Sequence, residues 1–201
     1  LEEHLRTRGG VRTAVFHEGM NLLARDRAAA YFAEEDDESA QVLVASEIGS
    51  EGRNFQIARH LVSFDLPLAP DLLEQRIGRL DRIGQRYAIQ IHVPYLNPGP
   101  QAVLARWYHE GLNALERACP GGNRVVAVLG SRLIEALEAP LDDDVTHALV
   151  EAAATEMAQV DAALRDGRER LLEASSYRPA RAQNITSCLL YTSDAADDCE
   201  G

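Results

Sequence analysis

Short apolar runs alternate with helical patterns over the first half of the chain. The runs predict strands at 11–16, 41–45, 60–64 and 88–94, and apolar positions at helical spacing follow Asn21, whose side chain can cap a helix. Strands that alternate with helices are typical of a parallel sheet with helices on both faces. We therefore predict an α/β fold, whose ligands would lie at the carboxyl ends of the strands.

From residue 98 onward the strand pattern is lost and helical patterns replace it. They cover 101–118 and 125–137, with a Pro-Gly-Gly break between them, and a third pattern begins after the potential capping carboxylates at 142–144. This third pattern repeats apolar residues at Val150, Ala153, Met157, Val160, Leu164 and Leu171. The stripe fits docking on another helix, and equally an ordinary amphipathic helix of this chain. We predict an all-α extension after the α/β part.

The two ends of the chain differ from the rest. Leu1 stands inside a helical pattern and is not an initiator Met, while residues 187–201 show neither periodicity nor a core pattern. The string from Ser187 to Asp198 resembles translated sequencing adaptor. We expect a lobe truncated at its start over 1–97, the helical extension over 98–181, and a disordered, non-native tail over 182–201.

Arginine supplies all 20 basic residues of the chain, and lysine is absent. A phosphate-binding loop of the G-x-x-x-x-G-K-S/T type needs its Lys on the β- and γ-phosphates of the nucleotide. The chain therefore cannot be a complete P-loop ATPase. Its formal net charge of -12 argues against a strongly basic nucleic-acid-binding module, although residues 76–86 are locally basic.

The cysteine spacing and the hydropathy of the chain indicate the cellular compartment in which the protein works. Cys119, Cys188 and Cys199 show no metal-ligand or redox spacing, so we expect isolated reduced thiols. No apolar run approaches the roughly 20 residues that span a bilayer, and no secretion signal is visible at the start. The sequence therefore predicts a cytoplasmic protein.

The strongest candidate chemistry lies in residues 75–82. A helix over 71–82 would place Gln75, Arg79 and Arg82 on one polar stripe, with apolar residues on the opposite side. Asp71 and Glu74 fit a capping pair at the start of this helix. Two permanently charged guanidinium groups on a rigid element suit a phosphate group. An arginine-rich helix face can also be a solvated surface, and the stripe alone leaves that alternative open.

The motif at 75–82 is part of a longer pattern, in which residues from 52 to 85 recur at fixed intervals. They match motif V and motif VI (Q-x-x-x-R-x-x-R-I-G-Q) of the SWI/SNF-type helicase-like ATPases of helicase superfamily two, at Gly52, Asn54, Asp65, Pro70, Gln75, Arg79, Arg82, Ile83, Gly84 and Gln85. The wording of segments 16–20, 46–56, 71–85 and 107–112 resembles the bacterial, RNA polymerase-associated members of that family, and the resemblance is dense over 11–119. Glu47, Glu51 and Arg53 depart from the common SWI/SNF wording.

This resemblance implies a motor of two RecA-like lobes with ATP and Mg²⁺ in the cleft between them. The chain would be a partial second lobe, and the first lobe, outside this chain, would supply the phosphate loop and the metal-binding acids. Arg79 and Arg82 would reach the γ-phosphate as catalytic arginine fingers. Gly52, Asn54 and Gln75 would contact the nucleotide, and the isolated chain should not hydrolyse ATP.

The same resemblance implies the partners. Ser46 and Gly49 would face a nucleic-acid backbone, that of double-stranded DNA or of RNA, where contacts carry little sequence information. The whole protein would be an ATP-dependent translocase that associates with RNA polymerase and promotes its recycling in transcription. Such a protein would work in the bacterial cytoplasm, associated with the nucleoid.

Two other functions stay open at this stage. The helical extension could be a module that docks on polymerase or on the rest of the parent protein, without nucleotide chemistry of its own. The lobe could also be a RecA-like fold reused without ATP hydrolysis. For His17 and Glu18 we expect a structural or surface role, and the apolar spacing of Trp107 and Tyr108 favours core positions over base stacking.

Overall fold

A computed structural model describes residues 1–34, 36–47, 55–82, 84–140 and 142–176. The chain divides into two compact units, Leu1–Ala154 and Thr155–Gly201. The expected non-native tail lies outside the described residues and stays a prediction. Within the described ranges, no helix combines the length and the apolar character that crossing a membrane requires.

The first part of the chain combines helices with parallel strands, as the hydropathy pattern predicts. Its helices are α1 (Glu2–Gly9), α2 (Leu22–Ala33) and α3 (Pro70–Ile77), and its strands are β1 (Thr13–Phe16), β2 (Val42–Ala45), β3 (His60–Val62) and β4 (Gln90–His92). Strand β1 pairs in parallel with β2, and β3 with β4. Among the described residues, these pairs form two separate two-stranded sheets, where the sequence suggested one.

Local side-chain chemistry explains where α2 begins. The Asn21 side-chain oxygen accepts a hydrogen bond from the backbone N–H of Ala24 at 2.8 Å, so the predicted cap is confirmed. The strands are less buried than those of a sheet covered by helices on both faces. Ala14 and Phe16 of β1 are buried, but β2 is only half-buried and Val62 of β3 is 59% exposed. A strand with one paired neighbour keeps more of its surface in contact with water than a central strand does.

The second part of the chain is helical. It contains α4 (Pro100–Arg106), a π-helix (Trp107–Gly111), α5 (Gly122–Glu138) and α6 (Asp143–Ser176). The prediction of one helix over 101–118 is wrong beyond residue 111. The backbone N–H of Leu112 donates to the carbonyl of Trp107, five residues back, and Asn113 adopts a left-handed φ of 53°. The first is the hydrogen bond of the π-helix itself, and the left-handed Asn113, directly after the capping residue Leu112, ends the helix.

The other helical predictions are confirmed. Helix α5 follows the Pro-Gly-Gly break, and the Asp142 carboxylate accepts from the backbone N–H of Val145 at 3.1 Å at the start of α6. Of the predicted α6 stripe, Val150, Ala153, Met157 and Val160 are buried, whereas Leu164 is exposed and the side chain of Leu171 lies outside the described ones. A β-carbon built on Gly111 would lie 3.0 Å from that of Ala153, so the stripe begins by packing on the π-helix of its own chain.

The core joins both parts of the first unit. Trp107 and Tyr108 are fully buried, which confirms their predicted core positions. The Tyr108 hydroxyl donates to the backbone carbonyl of Pro67 at 2.7 Å, in the loop between β3 and α3. Burial raises the pKa of the Tyr108 hydroxyl, so it remains a protonated donor at neutral pH. This contact and the neighbouring core hold α3 against the helical part.

Helices α3 and α5 approach most closely where α5 begins. A β-carbon added to Gly122 would lie 2.7 Å from the β-carbon of Pro70, which belongs to a rigid ring. A β-carbon added to Gly130, in the middle of α5, would meet only the side chain of Val126 one turn earlier in the same helix, at 3.7 Å, which is ordinary van der Waals contact. Only the first of these glycines is therefore needed for helix packing.

We expect the substitution Gly122→Ala to lower the free energy of unfolding by about 1–3 kcal/mol, because the new methyl group forces α3 and α5 apart. The matched substitution Gly130→Ala should raise it by about 0.5–1 kcal/mol, because alanine favours a helix interior. Urea denaturation of the two variants and the parent chain measures both. Equal stability of the two variants would contradict this packing.

Candidate functional site

The predicted arginine residues lie beyond the end of α3, not on it. The helix stops at Ile77, so the prediction of a helix over 71–82 is wrong in its last part. The N–H groups of Arg79 and Leu80 donate three residues back, at 3.2 and 3.0 Å, which tightens the chain into turns. The carbonyl of Arg79 accepts from the backbone N–H of Phe55 at 2.8 Å, a partner from a distant segment.

Gln75 remains on the helix, while Arg79 and Arg82 extend from the turns that follow it. Arg79 is half-buried and Arg82 is exposed, with its Nε donating to the carbonyl of Gly78 at 2.9 Å. In the described part of the chain, neither guanidinium takes part in an ion pair, and Asp81 pairs with neither of them. Both cations therefore keep most of their donors available to a ligand.

The start of α3 also differs from its prediction. The capping residue is Ala69, which makes no side-chain capping bond, and Pro70 occupies the first helical turn. The Glu74 carboxylate instead accepts a hydrogen bond from the backbone N–H of Cys119, between the π-helix and α5. Asp71 and Glu74 are therefore not a capping pair, and Glu74 binds α3 to the helical part.

Sequence reasoning missed Arg76, which connects three segments. Its Nε and one Nη donate to the two carboxylate oxygens of Glu47, at 2.9 and 3.0 Å, just after β2. The other Nη donates to the backbone carbonyl of Asp65 at 2.5 Å, after β3. The hydrogen bond to Glu47 raises the pKa of Arg76, against the opposing effect of burial. The only signal in the sequence was Glu47 itself, which departs from the common family wording.

Ser46 lies at the carboxyl end of β2, beside the end of β1. Its backbone N–H donates to the carbonyl of Phe16 at 3.0 Å, and its hydroxyl donates to the Glu18 carboxylate at 2.5 Å. This hydroxyl is the main cause that lowers the pKa of Glu18. His17 accepts from the backbone of Gly19 at 3.1 Å, in keeping with a surface role. Glu18 and Glu47 place negative charge beside Ser46, and its contact with a nucleic-acid backbone stays a prediction.

Three predicted site residues, Gly49, Gly52 and Asn54, lie outside the described residues. The residues that flank this segment are described. Phe55 is buried and packs edge-on against the rings of Phe16 and Phe32, with ring centroids 6.0 and 6.3 Å away. Among the described side chains, no three of His, Cys, Asp and Glu converge as a metal site.

We expect the substitution Ser46→Ala to raise the pKa of Glu18 toward its ordinary value, because the main hydrogen bond to the carboxylate is lost. The stabilisation from this bond is present above the ordinary carboxyl pKa and is lost as the pH falls through the lowered pKa of the folded state. NMR titration of the Glu18 carboxyl carbon measures the change. The substitution Ser39→Ala, in a different loop, is the control and should leave the titration unaltered.

Two family descriptions match the chain. Residues 1–84 match the helicase conserved C-terminal domain, and residues 88–198 match the RNA polymerase recycling family C-terminal region. RNA polymerase-associated protein RapA of Pseudomonas fluorescens (strain Pf0-1) and that of Cronobacter sakazakii (strain ATCC BAA-894) are each 55% identical to the chain over 194 residues. The crystal structure of the C-terminal part of the Fun30 ATPase domain aligns with 68% of this chain and 43% of its own, with a TM-score of 0.47 and 16% identity.

The alignment with each RapA covers 96% of this chain but only 20% of the relative, so the chain spans about a fifth of the length of these proteins. The match to the recycling family covers more than half of the chain. The resemblance read from motifs V and VI is thereby confirmed. The chain belongs to the RNA polymerase recycling family, and it carries a helicase conserved C-terminal domain followed by the C-terminal region that defines the family.

Proposed function

We propose that this chain is part of the second, RecA-like lobe of a motor that hydrolyses ATP and moves on nucleic acid. Membership of the family and the helicase C-terminal match support this proposal. The parallel strands, with α3 following β3, are compatible with such a lobe. We also propose the division into a lobe over 1–97 and a helical extension over 98–181, with the remaining residues forming a non-native tail.

The observation that carries the proposal is the state of the two arginines. Arg79 and Arg82 follow the half-buried end of α3, and the carbonyl of Arg79 accepts a hydrogen bond from the N–H of Phe55 at 2.8 Å. Their guanidinium groups are engaged by no carboxylate of the described residues. Guanidinium groups that pair with no carboxylate of the protein can stabilise the negative charge on a γ-phosphate in the transition state. Gln75, Gly52 and Asn54 would then contact the nucleotide.

The first lobe would bind most of the ATP and its Mg²⁺, because the chain has no lysine for a phosphate loop. Ser46 and Gly49 would follow the backbone of double-stranded DNA or of RNA. The whole protein would associate with RNA polymerase and promote its recycling in the bacterial cytoplasm, near the nucleoid. The relatives' name, RNA polymerase-associated protein, supports polymerase as the partner.

In the full-length protein, we expect Arg79→Ala or Arg82→Ala to lower the kcat of ATP hydrolysis by about 10³-fold or more, the usual effect of losing an arginine finger. Arg86→Ala is the matched control, because Arg86 is an exposed arginine just beyond the motif, and its kcat should stay within about twofold of the parent. Steady-state phosphate release measures all three variants.

Two outcomes would contradict the proposal. Unchanged hydrolysis in both arginine variants would support a RecA-like lobe without nucleotide chemistry. ATP turnover by this purified chain alone would show that hydrolysis does not need the phosphate loop of the first lobe.

A second candidate function is docking on RNA polymerase through the helical extension. The match of residues 88–198 to the recycling family favours it. Helix α5 exposes Val128 and Ile134, at 61% and 44%, outside the stripe of its buried residues, and Val128 is the more exposed of the two. Exposed apolar side chains on a rigid helix are suited to a protein partner.

We expect the whole chain to be retained on immobilised RNA polymerase and Val128→Glu to reduce its affinity by about tenfold, because a charge would be desolvated at the contact. The control is Leu22→Glu, which alters an equally exposed apolar residue at the start of α2. The whole chain is used because Tyr108 and Gly122 pack against the loop and helix that precede residue 97. Equal loss in both variants would exclude α5 as the docking surface.

A further inference from the structure

One guanidinium holds α3 against the ends of two strands. Arg76 makes a bidentate ion pair with Glu47 after β2, and it donates to both the carbonyl and, at 3.4 Å, the carboxylate of Asp65 after β3. The Arg76 side chain is only 17% exposed, whereas that of Glu47 is 35% exposed. A bidentate pair restricts both distance and angle, so it fixes the orientation of α3 and not only its position.

A second set of hydrogen bonds joins residues 55–58 to residues 79–85. The N–H of Phe55 donates to the carbonyl of Arg79, and the side-chain amide of Gln85 donates to the carbonyls of Gln56 and Ala58 at 3.0 and 3.1 Å. Glu47 is therefore bound to Arg76, and Phe55 to Arg79, within the short segment 76–79. The turn that carries Arg79 is thus fixed by contacts that involve none of the cationic groups proposed to meet ATP.

We propose that Arg76 is a positioning residue for ATP hydrolysis, and that it acts through Glu47 and Asp65. The pair sets the angle of α3 relative to the ends of β2 and β3, and thereby the placement of Arg79 and Arg82. This inference rests on the proposed function. Arg76 itself contacts neither nucleotide nor nucleic acid in this role, because four of its five N–H donors are already used within the protein.

The size of the expected effect follows from geometry. A displacement of about 1 Å in a group that stabilises a transition state can cost on the order of 100-fold in rate. Losing the pair would leave α3 attached by Glu74 and by its apolar contacts, so a smaller displacement and a loss of about tenfold are expected. Binding of ATP depends mostly on the first lobe, so kcat should change more than KM.

A double-mutant cycle in the full-length protein tests this inference. The variants are Arg76→Gln, Glu47→Gln and the two combined, with Arg106→Gln as the matched control. Arg106 pairs with Asp143 at 2.6 Å and is 26% exposed, but it lies in the helical part. We expect each single variant to lower kcat about tenfold, the double variant to lower it about tenfold and not 100-fold, and Arg106→Gln to change it less than twofold.

Each other outcome overturns the inference. Additive losses would show that Arg76 does not act through Glu47. A lower melting temperature with unchanged kcat would make the pair purely structural. Arg76→Lys adds a further check, because lysine keeps the charge but not the bidentate contact, so it should resemble Arg76→Gln and not the parent.

Two further comparisons distinguish failure of this inference from misfolding of a variant and from failure of the proposed function. Glu47→Gln changes the more exposed partner and keeps its shape, so it carries the test if Arg76→Gln does not fold. Arg79→Ala is measured in parallel. If it abolishes hydrolysis while Glu47→Gln matches the parent, the inference fails and the proposed function stands. If Arg79→Ala leaves hydrolysis intact, the proposed function itself fails.

Discussion

The ion pair between Arg76 and Glu47 is the interaction on which the arrangement of the first half of the chain depends. Strands β2 and β3 belong to different two-stranded sheets in the described part of the chain, so a contact made from outside the sheets is what joins their ends. A planar guanidinium can do this because its five donors extend in fixed directions and can bind several acceptors at once. Glu47 and the carbonyl of Asp65 are those acceptors.

The helical part also contacts α3 and the loop that precedes it. Glu74 accepts from the backbone of Cys119, Tyr108 donates to Pro67, and Gly122 allows α5 to approach the ring of Pro70. All three contacts reach α3 or the loop before it. The region that defines the recycling family and the helicase C-terminal domain therefore share one core in the first unit.

Local rules predicted the elements well and their ends poorly. The cap at Asn21, the strands and the start of α6 depend on neighbouring residues, so they can be read from hydropathy and side-chain chemistry. The end of α3 depends on Phe55, which lies more than 20 residues away in sequence and takes the carbonyl of Arg79. The motif spacing identified Arg79 and Arg82 as candidates, but Arg76 could be found only from its distant partners.

Both sheets contain only two strands, which leaves one hydrogen-bonding side of each strand without a strand neighbour among the described residues. The backbone groups on such a side are templates for any extended peptide that meets them, including a second copy of the same chain.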